Sequence, residues 1–388
     1  FYSKILKLMI SNRQVLTSFS IFVKNIFMYS DLDFIISNYN SIEAASFSWS
    51  APSNIALVKY WGKKENGDQI PANPSISFTL KNCKTITSVA ISSKAESNNF
   101  SFDLLFEGKP KEDFKPKIQK FFERIYKYCP YLKEYHFTID TQNTFPHSSG
   151  IASSASGMAA LAMNIMSLEK ALKPEIFDDY FYAKASFLAR LGSGSACRSI
   201  IGNVVAWGKN ETIKNSSDLF GVAFENVHPN FHNFQDTILL VDKGEKQVSS
   251  TVGHNLMHNH PFAEQRFDQA HHNIAKIVTL LETGNVTEFM SLVESEALTL
   301  HAMMMTSMPY FILMKPNTLE IINAIWKFRS DTETPVCFTL DAGANVHVLY
   351  PENVKEKVLQ FIQHELVGYC QNGQYICDEI GNGAQDLK

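Results

Sequence analysis

Two periods of apolar residues run through the chain. Tyr135, Phe137 and Ile139 alternate with polar neighbours, which predicts a half-buried strand. Phe114, Ile118, Phe121, Phe122 and Ile125 recur at spacings of three and four, which predicts an amphipathic helix over about 112–128. Met158, Leu161, Ile165 and Leu168 form a second helical stripe, so Ser154–Lys170 reads as a helix. Ile201–Trp207 is a β-rich run. From Phe47 to about Gly221, short strand signals thus alternate with helices. Beyond it, Thr237–Asp242 reads as a buried strand. Long helical patterns follow at 262–282, 286–305 and 317–329, then strands at 335–341 and 345–350, a helix at 351–366 and a short strand near Tyr375. This order, βα(αα)ββαβ, resembles a split βαβ unit with inserted helices, and the fold class is α+β. No internal repeat interrupts it. A domain boundary is placed near 222–235, where Phe, His and Asn dominate, giving domains 46–228 and 229–388.

Composition narrows the class. Of 388 residues, 45% are apolar and 19% charged, which is globular rather than disordered. A net charge of −4 argues against a surface built to neutralise nucleic-acid phosphates, and leaves room for a local cationic pocket. The six cysteines contain no CxxC pair and suit a reducing, cytoplasmic setting. No run of 18 apolar residues occurs, so no membrane span is expected. Residues 1–45 are set apart from the fold. Positions 1–30 carry Lys4, Lys7, Arg13 and Lys24 and no acid, a pattern shared by transit peptides and by translation from upstream of a start such as Met28.

Candidate chemistry lies in five segments. Pro146–Gly157 (PHSSGIASSASG) follows a strand and precedes a helix. Its small residues allow close backbone approach, and a helix N-terminus presents free N–H groups to phosphate. A plain N-capped helix would also use such residues, and the Gly-Lys-Ser/Thr ending of a Walker loop is absent. In Ala51–Lys64, Lys59 and Lys63 are four apart and share a face if this is a helical turn. With Tyr60 between them they suit a diphosphate, or a solvated charged turn. Arg190–Ser199 alternates Gly and Ser and ends near Arg198, whose fork matches a carboxylate. Val248–Thr251 is a hydroxyl cluster. Asp341 closes a hydrophobic strand before Ala342-Gly343-Ala344-Asn345, either as a site acid or as a turn cap.

Together these segments resemble the GHMP kinase superfamily, whose phosphate motif Pro-x-x-x-Gly-Leu-x-Ser-Ser-Ala is met here by Pro146, Gly150, Ile151, Ser153, Ser154 and Ala155. Within it the chain is similar to the diphosphomevalonate decarboxylase family. Asn-Ile-Ala and Lys-Tyr-Trp-Gly-Lys stand at 54–63, Gly-Ser-Gly-Ser-Ala-Cys-Arg at 192–198, Val-Ser-Ser-Thr at 248–251 and Leu-Asp-Ala-Gly at 340–343. The resemblance spans roughly 47–380. It implies a two-lobed GHMP kinase fold, with an N-terminal lobe like domain 2 of ribosomal protein S5 and a ferredoxin-like C-terminal lobe with extra helices. It also implies ATP-dependent decarboxylation of mevalonate 5-diphosphate to isopentenyl diphosphate, with ATP and Mg2+ as cofactors and a homodimer as the assembly.

By the same resemblance Asp341, Lys59 and Arg198 are catalytic. Asn54, Tyr60, Lys63, Ser193, Ser195, Arg198 and Ser250 bind substrate, and Ser149, Gly150, Ile151, Ala152, Ser153 and Ser154 surround the ATP phosphates. No carboxylate stands out as a Mg2+ ligand. The alternative is a GHMP small-molecule kinase that phosphorylates a mevalonate derivative and stops; the resemblance sets the joint presence of Lys59 and Asp341 against it. A binding protein that has lost catalysis would be expected to lack Asp341, Arg198 or the Ser153-Ser154 pair. His147 departs from the family loop. His254, His258, His260, His271 and His272 form no closed ligand set and are read as a solvated loop. Met303–Met305 reads as helix core or a flexible packing surface.

Overall fold

The first strand of the body, β1 (Ala44–Val58), is buried continuously over its second half, and β2 (Ser75–Ser93) pairs antiparallel with it along nearly its whole length. The computed structural model describes residues 29–65, 68–94, 98–146, 151–243 and 250–388, with the backbone alone at 250–251. The expectations placed on positions 1–28 and on His147 lie outside the described residues. Residues 36–388 make one compact unit. Residues 36–45, left out of the sequence argument, take part in it: Tyr39 donates to Glu134, Asn40 donates to the Leu172 carbonyl, and β1 begins at Ala44.

The larger sheet runs β12–β1–β2–β5–β3–β4, with β6 and β7 continuing from the Ser75 end of β2. Its members are β3 (Ser101–Phe106), β4 (Lys109–Pro110), β5 (Tyr135–Asn143), β6 (Val204–Trp207), β7 (Val222–Ala223) and β12 (Gln385–Asp386). The alternation at 135–139 is that of β5, with Tyr135, Phe137 and Ile139 inward. Helix α1 (Lys115–Ile125) buries the predicted stripe of Ile118, Phe121, Phe122 and Ile125, and Phe122 packs edge-on against Phe102 and Phe137. Helix α2 (Ser153–Leu172) is buried on most of its surface and lies against β1 and β2. Each of Met158, Leu161, Ile165 and Leu168 contributes about 1.5–3 kcal/mol by leaving water. Helix α3 (Asp178–Gly192), not marked out in the sequence, packs beside α2.

The second sheet is antiparallel, β11–β8–β10–β9. It comprises β8 (Gln235–Leu239), β9 (Cys337–Thr339), β10 (Val346–Tyr350) and β11 (Tyr375–Glu379). Between β8 and β9 come a short helix α4 (Ser250–Asn255) and the long helices α5 (Ala263–Thr283), α6 (Val286–Met305) and α7 (Pro316–Thr332); α8 (Lys355–Phe361) follows β10. Met303 and Met304 are core, packed with Trp61 and Leu300, whereas Met305 is exposed. The two sheets are fastened by Asp378 of β11, whose carboxylate accepts the backbone N–H groups of Lys81, Asn82 and Cys83 at 2.7–3.0 Å. The mixed α+β architecture agrees with the expected class.

One local expectation is overturned. Lys59 and Lys63 do not share a helical turn. The strand ends at Val58, Gly62 adopts φ +107°, and Lys63 bridges to Pro71. A positive φ at Gly62 stops helix propagation, and a Cβ there would lie 2.9 Å from the Phe267 ring.

Candidate active site

Asn54, Lys59, Tyr60 and Lys63, at and beyond the end of β1, face one cavity of about 540 Å3. Ala152, Ser153 and Ser154 enter it from the start of α2. Ser193, Ser195 and Arg198 enter from the turn and 3-10 segment (Gly194–Ser199) after α3, and Asp341 from the turn after β9. Loops from both sheets therefore meet at one place. Ile151 does not line it: its side chain joins the core, and its carbonyl accepts from Ser53 at 2.6 Å. Ser149 and Gly150 lie outside the described residues, and Ser250 is described only as the first backbone position of α4.

Asp341 is the only acid among the described residues lining the cavity. Its Oδ1 lies 3.2 Å from Lys59 Nζ, with Lys59 1% exposed. Burial pulls the Lys59 ammonium below its ordinary pKa; Asp341 and Glu296 oppose that, and Arg198 adds to it. Arg198 is likewise buried. Its Nε donates to Ser77 at 3.0 Å, Nη1 to Ser75 at 2.6 Å and Nη2 to Asn54 at 3.3 Å. Three of the five N–H groups of the fork are thus spent on orientation, and two remain for the cavity. Asn54 is fixed in turn by Ser199 (2.8 Å) and by the Ser195 carbonyl (3.2 Å).

At the Lys63 side, the Tyr60 hydroxyl is buried and has no hydrogen-bond partner among the described residues. A Cβ on Gly194 would lie 2.9 Å from that oxygen, so the glycine is required for the approach. Burial, then the nearby charges of Arg124 and Lys120, pull Lys63 below its ordinary pKa, a cost that a bound anion relieves. His254 is not in a solvated loop: it is 7% exposed. Its ring packs at a tilt against both Tyr60 and Trp61, at 4.2 and 4.6 Å between centroids. Nδ1 accepts the Gly62 N–H at 3.0 Å, and burial drives its pKa well down, so the neutral ring carries its proton on Nε2. His260 is also buried and is engaged with the Met303 carbonyl, while His271 and His272 are exposed. No cluster of three or more His, Cys, Asp or Glu suited to a metal occurs among the described residues.

The sequence reading missed Lys117, whose Nζ donates to Ser154 Oγ at 2.8 Å; Ser154 donates on to Ser193 Oγ at 3.2 Å. It also missed Ser75 and Ser77 beneath Arg198. The polar side of α1 carried a signal, Lys117, Lys120 and Arg124 at spacings of three and four, but nothing aimed it at a site. Leu104, Phe106, Phe114, Ile139 and Met158 add apolar side chains to the lining. A cavity with cationic and serine groups as well as apolar side chains can hold a molecule that carries both phosphates and a flat base.

Known proteins are similar to this chain over most of its length. A family model described as the diphosphomevalonate decarboxylase-like N-terminal domain matches residues 51–218. One described as the mevalonate 5-diphosphate decarboxylase C-terminal domain matches residues 237–384. Diphosphomevalonate decarboxylase of Saccharomyces cerevisiae is 30% identical over 336 residues, covering 81% of this chain and 80% of that protein. Among solved structures, MDDEF in complex with MVAPP, AMPPCP and magnesium is 28% identical, with a TM-score of 0.75, over 89% of this chain and 99% of that one. Mevalonate diphosphate decarboxylase from Staphylococcus aureus is 27% identical, with a TM-score of 0.75, over 89% and 98%.

Proposed function

The chain belongs to the diphosphomevalonate decarboxylase family, and from that premise we propose that it converts mevalonate 5-diphosphate and ATP to isopentenyl diphosphate, CO2, ADP and phosphate. The observation that carries the reading is the ion pair of buried Lys59 with Asp341, which lines one cavity together with the Arg198 fork.

The chemistry demands such a site. Hydroxide leaves a tertiary carbon poorly. Transfer of the γ-phosphoryl of ATP to the C3 oxygen turns it into a good leaving group. Asp341 orients the C3 hydroxyl and takes its proton. The Lys59 ammonium stabilises the charge on the transferring phosphoryl group. Phosphate then departs with the C3–O electrons, the C1–C2 bond breaks, and its electrons form the C2=C3 double bond as CO2 leaves. The two remaining N–H groups of Arg198 hold the C1 carboxylate until that step. Ser193 and Ser195 position the substrate, with Asn54 steadying Arg198. Tyr60 and Lys63 receive the diphosphate end. Ser153, Ser154 and the N–H groups at the start of α2 receive ATP phosphates, and the apolar lining residues Leu104, Phe106 and Phe114 suit the base.

Mg2+ fits as a companion of ATP. With a single lining acid among the described residues, the cavity offers few protein ligands there, which matches an ion that keeps phosphate oxygens and water around it. Ser153, among the hydroxyls assigned to the ATP phosphates, would be its protein neighbour, and it would neutralise phosphate charge. Among the described residues no helix is long and apolar enough to cross a membrane. All six cysteines are free, which supports a reducing, cytoplasmic setting. A homodimer belongs to the same proposal, on the resemblance alone, and light scattering tests it.

The test is to incubate the protein with Mg-ATP and mevalonate 5-diphosphate and follow ADP and CO2 together. Equal amounts are expected. ADP without CO2 would make it a kinase, and neither product would remove the enzymatic reading.

A further inference from the structure

We propose that helix α6 is the positioning element of the site, carrying Glu296 and His301 to hold the backbones of Lys59 and Asp341 so that ammonium and carboxylate meet. This rests on the reading of Lys59 and Asp341 given above.

Lys59 lies just past the end of β1, where strand partners no longer hold its backbone. Side chains do so instead. Glu296, wholly buried, accepts the Lys59 N–H at 2.8 Å through Oε2. The Arg266 fork grips the same carboxylate, Nη1 to Oε1 at 3.0 Å and Nη2 to Oε2 at 2.6 Å, and Nη2 also donates to the Lys59 carbonyl at 3.1 Å. Asn73 gives that carbonyl a second donor at 2.9 Å. Both backbone groups of Lys59 are therefore fixed by groups outside its own strand. Five residues along the same helix, His301 donates from Nε2 to the Asp341 carbonyl at 3.2 Å. His301 is 1% exposed, and burial lowers its pKa to about 4, so it is neutral and its tautomer is set by that bond. Five residues of helix advance about 7.5 Å. One rigid rod thus sets the spacing between an N-terminal lysine and a C-terminal acid.

A buried ion pair such as Arg266–Glu296 is a poor source of net stability, because desolvation offsets its attraction. Its placement against Lys59 gives it another role. The groups around the Lys59 ammonium are Asp341 and Glu296, which favour its charge, and Arg198, which opposes it; neutral His301 and the Glu296-paired Arg266 stand behind them.

The experiment measures ADP release against pH with full-length protein. Glu296→Gln keeps an oxygen for the Lys59 N–H and removes the charge. The alkaline limb of kcat/KM should move about one unit toward lower pH. His301→Phe should lower kcat about tenfold with KM for ATP little changed, and His301→Gln, whose amide N–H replaces Nε2–H, should restore most of it. Asp341→Asn serves as control. If Asp341→Asn turns over like wild type, the underlying site reading fails. If it is inactive while the limb of Glu296→Gln stays put and His301→Phe keeps wild-type kcat, the α6 proposal alone is overturned. Should Glu296→Gln not fold, Glu296→Asp decides: charge is kept but reach is shortened, so kcat falls with the limb unmoved, and wild-type kcat counts against the proposal.

Discussion

Lys59 Nζ and Asp341 Oδ1 lie 3.2 Å apart across 282 residues of chain, and Lys59 has no comparable access to solvent. Desolvating an ammonium is costly unless an anion or an incoming ligand compensates it. The pair therefore marks the position where substrate charge is expected, and its consequences can be measured.

Asp341→Asn keeps the shape and removes the proton acceptor. We expect kcat to fall about 10²–10⁴-fold, with binding of a non-hydrolysable ATP analogue retained. Calorimetry with the analogue, beside ADP release, separates the two effects. A turnover near that of wild type would take Asp341 out of the mechanism.

Arg198→Lys replaces a fork held by Ser75, Ser77 and Asn54 with a point charge that cannot meet all three and a carboxylate as well. KM for mevalonate 5-diphosphate should rise about tenfold or more, each decade being about 1.4 kcal/mol. Unchanged steady-state kinetics would show that Arg198 does not grip the carboxylate.

The reaction needs Lys59 charged, and its folded pKa lies below the ordinary 10.5. Activity should therefore be lost on the alkaline side before a free lysine would titrate. Bound phosphates stabilise the ammonium, so the limb in kcat should lie above the limb in kcat/KM. Lys59→Arg should move the limb beyond reach, because guanidinium stays protonated. The same limb in Lys59→Arg as in wild type would assign it to another group.

Away from the cavity, Lys184 and Glu169 pair at 2.6 Å with neither side chain exposed, and Tyr131 donates to the same carboxylate at 3.0 Å. Lys184→Met leaves that carboxylate buried and unneutralised, at a cost of about 3–5 kcal/mol. Burial already raises the Glu169 pKa, with Lys184 holding it down. Loss of Lys184 raises it further, so the variant should regain part of its stability as pH falls and Glu169 takes up a proton. Urea titrations at neutral and mildly acidic pH test the sign. At temperatures where the variant is folded, kcat should stay near wild type.

Local order was legible along the chain because it rests on spacings a linear pattern records. The stripe from Ile118 to Ile125, the alternation at 135–139 and the long helices after 262 appear where the pattern puts them. The short motifs likewise mark Lys59, Arg198 and Asp341 as candidates by residue type and neighbours, and the family resemblance supplies their catalytic roles. What the linear pattern misjudged was setting. The Lys59–Lys63 segment looked helical by spacing, but Val58 ends a strand and Gly62 turns the chain. His254 looked solvated among polar neighbours, yet two aromatic rings and a backbone N–H enclose it. Lys117 shows only as part of a basic helix face, and Glu296 and His301 carry no local mark, because the roles of all three depend on partners tens to hundreds of residues away. Hydrogen bonding and desolvation act through distance in space, so only the tertiary fold decides which buried charges meet, while periodicity and side-chain chemistry already stand in the sequence.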